Sequence, residues 1–394
     1  MGSTRTYFRT QDRLTGDCLP PRQRSAAGLV AALADAYERG WQPSDVVHVT
    51  RRTLGAAAAP TAAAAVLFQA HTSDTAADAP RDWRSQLDRI ADAEPAAARF
   101  ADTVLPGCDP DDFAAVLDAA GWQLGTREWL ELTVLWLEFP RLTRLCPPPS
   151  EWVGGDVPER PTTADPKMLA RIRGLLAKAE ATEFVEEAET FTAKAQDLMT
   201  RYAISAALLT ADRADTTPVH SRRLHLDNPY VGEKVHLLTA IGEANRVRTV
   251  WFDRLAIATV VGDPLDLDQT DLLFTSLLVQ ATRAMRAAGG DTGGSRTTSF
   301  RKAFLFGFAV RIGQRLKETD SRATAEVAVD ADVRIDDLLP VLAARSAAVD
   351  TEFDRLFPTT KASRSRSVDA GGWHAGQSAA DAAALSPGDR ALPR

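Results

Sequence analysis

Cysteine is too scarce in this chain to build a covalent framework. Cys18, Cys108 and Cys146 are widely spaced and form no Cys-x-x-Cys pair, which argues against both a disulfide scaffold and a four-cysteine zinc site. Long apolar runs are lacking too: no stretch approaches the roughly 18 apolar residues that cross a bilayer. The opening MGSTRTYFRTQDRLTG holds no apolar core of a secretory signal. Together these absences predict a cytoplasmic protein with no membrane partner. Several catalytic signatures are missing as well: there is no His-Glu-x-x-His, no Gly-x-Ser-x-Gly and no Gly-Lys-Ser/Thr phosphate loop.

What is present fits a soluble protein of more than one domain. The 394 residues exceed one ordinary core, and 45% hydrophobic with 25% charged residues is a globular composition. The net charge of −7 is concentrated at the front, where residues 1–160 carry 16 Lys/Arg against 22 Asp/Glu. Residues 161–320 carry 21 against 20. A chain that repels polyanions as a whole needs a local basic patch to bind nucleic acid.

Composition divides the chain. Residues 1–24 read as an N-terminal extension. Residues 25–146, rich in alanine and leucine, read as an all-helical domain with a loose joint around His71–Pro80. Asp111 is placed to cap a helix through Phe113, Val116 and Leu117 that stops at Gly121, and Thr126 to open one carrying Trp129, Leu130, Thr133 and Leu137. The six prolines of 147–166 cannot propagate a helix or central strand, so this segment is a linker.

Residues 220–358 read as an α+β domain with a small antiparallel sheet. Helices are predicted over Pro229–Asn245, from Gly262-Asp263-Pro264 onward, over Thr298–Glu318, and over Ile335–Phe357 with a break near Pro340. Strands are predicted at Arg248–Phe252 and Leu255–Val261, joined by a two-residue turn at Asp253–Arg254, and at Ala323–Val329. Residues 359–394 read as a largely disordered tail. The fold class expected is mainly α.

Residues 167–210 read as a helical hairpin. Asp165 is a cap and Pro166 a first-turn residue. Met168, Ile172, Leu175, Leu176 and Ala179 repeat at helical steps, as do Ala188, Phe191, Ala195, Leu198, Met199 and Tyr202 in the second arm. The blocks Lys167–Glu180, Glu186–Glu189 and Lys194–Met199 closely resemble a bacterial and phage family called domain of unknown function 2786, with Val185 where that family usually has proline. The segments around VVGDPLDLDQTDLLFTSLL and SFRKAFLFGFAVRIGQRL are similar to the region that commonly follows it. The resemblance implies a fold and a neighbourhood, and no activity, cofactor or partner.

Three constellations are candidates for chemistry. Arg296, Arg301, Lys302, Arg311, Arg315 and Lys317 run without one acidic residue and interleave with Phe300, Phe304, Phe306 and Phe308. Cations neutralise phosphates and rings stack on bases, so this is a candidate nucleic-acid or anion site. Phe300, Phe304, Phe308 and Ile312 also fall on one helical stripe, which equally describes a core helix with snorkelling arginines. His220, His225 and His236 are weak metal candidates, with spacings that place no two one turn apart on a predicted helix. Asp263, Asp266, Asp268 and Asp271 open a helix, where carboxylates favour the dipole, and lack the glycine and glutamate of a calcium loop. The glycine-rich Gly289–Ser295 reads as a helix connector, and Lys361, Arg364 and Arg366 as a solvated tail.

The function expected first is that of a non-enzymatic interaction or scaffold protein. It would engage a protein partner through the hairpin or the N-terminal helical domain, with no cofactor. A nucleic-acid-associated protein using Arg296–Lys317 is the alternative, and a metal-dependent hydrolase around His220, His225 and His236 the second.

Overall fold

The computed structural model describes residues 26–73, 76–105, 108–122, 124–152, 166–182, 185–211, 219–288, 298–330, 335–360 and 369–382. The chain divides into two compact units, Met1–Arg160 and Pro161–Arg394. The N-terminal extension, most of the Pro-rich segment with Asp165, the glycine-rich connector and the Lys361–Arg366 cluster lie outside the described residues. The mainly α class holds: the described residues form fourteen α-helices and one three-stranded antiparallel sheet. No helix among them is long and apolar enough to cross a membrane.

Unit 1 contributes α1 (Ala26–Glu38), α2 (Pro43–Leu54), α3 (Ala59–Thr72), α4 (Arg81–Ala93), α5 (Pro95–Ala101), α6 (Phe113–Ala119) and α7 (Thr126–Leu137). Ala62 to Ala65 of α3 are all fully buried, so neighbouring helices approach a nearly side-chain-free rod. Arg39, just past α1, donates to the carbonyls of Trp136 at 2.7 Å, Leu137 at 2.9 Å and Phe139 at 2.6 Å. One guanidinium thereby satisfies carbonyls that α7 leaves open at its end. Trp41 stacks on Phe139 at 3.7 Å beside it, and Trp136 Nε1 donates to Thr50 at 2.9 Å.

Two caps differ from the expectation. Asp109, not Asp111, accepts from the backbone, taking the Asp111 N–H at 3.1 Å and opening a short 3-10 turn ahead of α6. Gly125 precedes α7, and its N–H donates to Glu128 at 2.8 Å, so Thr126 already lies inside the helix.

Unit 2 contributes α8 (Pro166–Ala181), α9 (Val185–Ala211), β1 (His220–His225), α10 (Val231–Ala244), β2 (Arg248–Phe252), β3 (Ile257–Gly262), α11 (Pro264–Ala287), α12 (Thr298–Asp330), α13 (Ile335–Leu356) and α14 (Ala370–Ala382). β3 lies between β1 and β2 and is antiparallel to both. Because side chains alternate, Ala258 and Val260 enter the core shared with α10, α11 and α12, whereas Val261 joins Val349 and Phe353 of α13 on the other face. Both faces are covered, which explains why β3 is buried throughout. The hairpin helices α8 and α9 place Ile172, Leu176, Ala195 and Met199 in that same core.

The third strand is β1, and Ala323–Val329 is instead the end of α12. Ala323, Thr324, Val327 and Ala328 are its buried positions, a helical spacing that the alternation of small and large residues had masked. The β2–β3 connection spans Asp253 to Ala256, not two residues, with Ala256 at φ +54. Helix α13 continues through Pro340.

Helix α14 lies in the segment expected to be a largely disordered tail. The glycines of α14 account for the difference, because they weaken the sequence signal for a helix while permitting close approach to α12. A Cβ on Gly376 would stand 2.0 Å from the Phe304 carbonyl oxygen, and one on Gly372 2.4 Å from that of Phe300. Gly376→Ala and Gly372→Ala should each cost about 1–3 kcal/mol through overpacking and unseat α14. Gly371→Ala, whose Cβ would meet only Asp369 Oδ1 at 3.6 Å, should be harmless. Thermal unfolding and amide exchange across α14 would read the contrast.

Candidate functional site

The N-terminus of α11 carries a cluster of buried and half-buried charged side chains. Asp263 caps the helix by accepting the Leu265 N–H at 2.9 Å. Asp266, one turn on, is 2% exposed. Arg345 from α13 brings Nη2 to 3.0 Å from Asp263 and 3.5 Å from Asp266, while its Nη1 donates to the Ala203 carbonyl of α9 at 3.0 Å. Arg246, between α10 and β2, sets Nε 4.0 Å from Asp266 and Nη1 3.4 Å from Asp320 of α12. It does so from φ +59, a left-handed conformation that costs a non-glycine residue about 1–3 kcal/mol.

Burial pushes the Asp266 carboxyl up to about 6, more than the two guanidiniums pull it down; Asp263 and Asp320 add to the rise. Asp266 Oδ1, the neighbouring Thr270 hydroxyl and Arg246 Nε are buried atoms without a hydrogen-bond partner among the described residues. The cluster therefore joins four helices and a turn around a carboxylate that is expensive to ionise. Asp268 serves a different purpose, pairing with Arg222 of β1 at 2.9 Å. No group of three or more His, Cys, Asp or Glu among the described residues is arranged to hold a metal ion.

The histidines are dispersed. His220 and His225 stand at opposite ends of β1, about 17 Å apart at 3.3 Å per residue, and alternate to opposite faces of the sheet. His236 sits on α10 against Phe306 of α12, ring centroids 4.8 Å apart, and burial lowers its pKa against the opposing pull of Glu233.

The basic aromatic helix is α12, and most of what it offers is already taken. Phe300, Phe304, Phe308 and Ile312 form its buried stripe. Phe306 is covered by His236 and by Trp373 of α14, at 5.3 Å. Arg311 donates to Asp381 at 2.5 Å, and Arg315 to the carbonyls of Ala380 and Asp381, so both hold the end of α14. Lys317 pairs with Glu243 at 2.9 Å. Arg301 and Lys302 remain exposed, and Arg296 lies outside the described residues.

The outer face of the hairpin carries cations that the sequence reading passed over. Arg171, Arg173 and Lys178 of α8 are exposed around Ala170, Gly174 and Ala177, and Lys178 lies 5.6 Å from the Phe191 ring centroid. Their signal was visible: α8 has no carboxylate before Glu180.

The hairpin carries the chain's similarity to a known family. Residues 167–206 match the family model described as a protein of unknown function (DUF2786). No curated protein and no solved structure matches the chain. The matched segment thus spans α8 and most of α9, with Ile172, Leu176, Ala195 and Met199 in the core and Arg171, Arg173 and Lys178 exposed on α8.

Asp266 yields a signed pH dependence. Its carboxyl holds a proton more tightly in the folded state, near 6, than at the ordinary 3.8, so the fold takes up protons between those values. Stability should fall as pH rises from about 4 to about 6, by on the order of 3 kcal/mol, and level off above. Asp266→Asn should flatten that slope in denaturant titrations. Arg345→Met, which takes the guanidinium from Asp263 and leaves Asp266 with Arg246 alone, should cost about 3–5 kcal/mol at neutral pH.

Proposed function

We propose that this chain is a non-enzymatic, cytoplasmic interaction protein that presents the outer face of its DUF2786 hairpin to a partner. The observation that carries the reading is the division of labour within α8. Its inner residues Leu169, Ile172, Leu176 and Ala179 are spent on packing. Its outer residues Arg171 and Arg173 are exposed and engage no carboxylate among the described residues. Elsewhere in unit 2 guanidiniums hold the fold together: Arg345 joins α13 to α9 and α11, Arg246 joins its turn to α12, and Arg311 and Arg315 hold α14. Arginines left over from that work, on the one motif shared with a family, suit recognition better than architecture.

The test is the full-length double variant Arg171→Glu/Arg173→Glu. Surface substitutions of this kind stay within about 0.5 kcal/mol, so its unfolding midpoint should match the parent. Crosslinking in cells followed by nuclease treatment and quantitative mass spectrometry should show at least one protein or nucleic-acid adduct depleted several-fold. Identical adduct profiles for parent and variant would overturn the reading.

A further inference from the structure

Resting on that reading, we propose that the partner of the hairpin face is a nucleic-acid duplex, held through its phosphodiester backbone without regard to sequence. The face extends beyond α8. Helices α8 and α11 run side by side in the same direction, since Leu169 shares a cluster with Leu265 and Leu272 while the Glu180 carbonyl accepts from Arg283. Arg283 and Arg286 on the last turns of α11 therefore join Arg171, Arg173 and Lys178. All five side chains are exposed, and none pairs with a carboxylate among the described residues. Neither α8 before Glu180 nor α11 after Asp271 contains an acidic residue. Along the sequence the acid-free stretch of the hairpin ends at Glu180, with Glu183, Glu186, Glu187 and Glu189 following, so the cations are concentrated on α8 and the end of α11.

The chemistry of the face selects among polyanions. Four of the five cations are arginines, whose planar forks match phosphate oxygens in pairs. Between those on α8 lie Ala170, Gly174 and Ala177, over which a sugar–phosphate backbone can approach closely. A protein hot spot would be built on a large apolar anchor, and the exposed large hydrophobics among the described residues are Leu105, Val329 and Leu339, on other elements. Single strands are gripped by stacking on aromatic rings, whereas duplex backbones are gripped by cations and backbone contacts alone. The aromatic rings of α12 are turned inward, which moves the nucleic-acid function expected of Arg296–Lys317 onto α8 and α11. The chain's net charge of −7 makes the attraction local and steeply dependent on salt.

Fluorescence anisotropy of the full chain with two labelled DNA duplexes of unrelated sequence tests this. Both should bind at low salt within about twofold of each other, with log K falling against log salt at a slope of about −3 to −4.5 for up to five engaged cations. Arg171→Glu/Arg173→Glu should weaken binding by about tenfold or more and reduce the slope by about 2. Arg301→Glu/Lys302→Glu on α12 should change neither quantity. Absence of duplex binding, loss of binding in the α12 variant in place of the α8 variant, or equal competition by polyglutamate would each overturn the proposal. If duplex binding is absent while the crosslinking experiment still shows a protein adduct that depends on Arg171 and Arg173, the duplex is the wrong partner and the interaction reading stands. If that profile is unchanged too, both fall.

Discussion

Unit 2 is organised around one costly interaction, the burial of Asp266 between Arg246 and Arg345. The contact is expensive on every side: a carboxylate out of water, a guanidinium beside it and a left-handed backbone at Arg246. Its return lies in what it connects. Arg345 ties α13 to both α11 and a carbonyl of α9, and Arg246 ties the turn after α10 to Asp320 of α12. Thr200 of α9 also reaches Asp320, at 3.4 Å. Hydrophobic burial alone would hold these helices together without fixing their rotations, whereas a pair of two-pronged cations accepts few arrangements.

The sheet follows from the same frame. Asp263 closes the end of β3 into α11, so the strand's last residue and the helix's cap are consecutive. β1 is then fastened to α11 through Arg222 and Asp268, and β2 to α13 through Arg248 and Asp350 at 2.7 Å. Each edge strand of the sheet thereby carries a charged residue paired to a covering helix, an arrangement that also discourages edge-to-edge association.

Much of this was legible in the chain. The hairpin, β2, the start of α11 and the aromatic stripe of α12 all follow from apolar spacing and caps, because these elements bury one clear face. Three features were hidden for identifiable reasons. β1 contains Arg222 and Arg223, so its polarity obscured the strand, in which Arg222 is spent on Asp268. Helix α14 is written in glycine and alanine, and its reason for being helical lies in α12, some 70 residues earlier in the chain. The Asp266 network joins residues separated by up to 142 positions, and no local pattern announces such a pairing. The hairpin's basic face, by contrast, was readable, and was overlooked because α12 held more cations together with aromatic rings.

The DUF2786 match ends at residue 206, and the structure gives that boundary a physical meaning. Ile172, Leu176, Ala195 and Met199 are one wall of a core whose other walls are α10, α11 and α12. The stretch that sequence comparison can recognise is therefore half an interior, not a module. A peptide cut to the matched limits would keep the exposed cations of α8 and yet show its apolar wall to water, with two helices that are marginal alone. In this chain the hairpin is complete only inside a larger body, and its exposed side chains are presented on helices already held in place by that core.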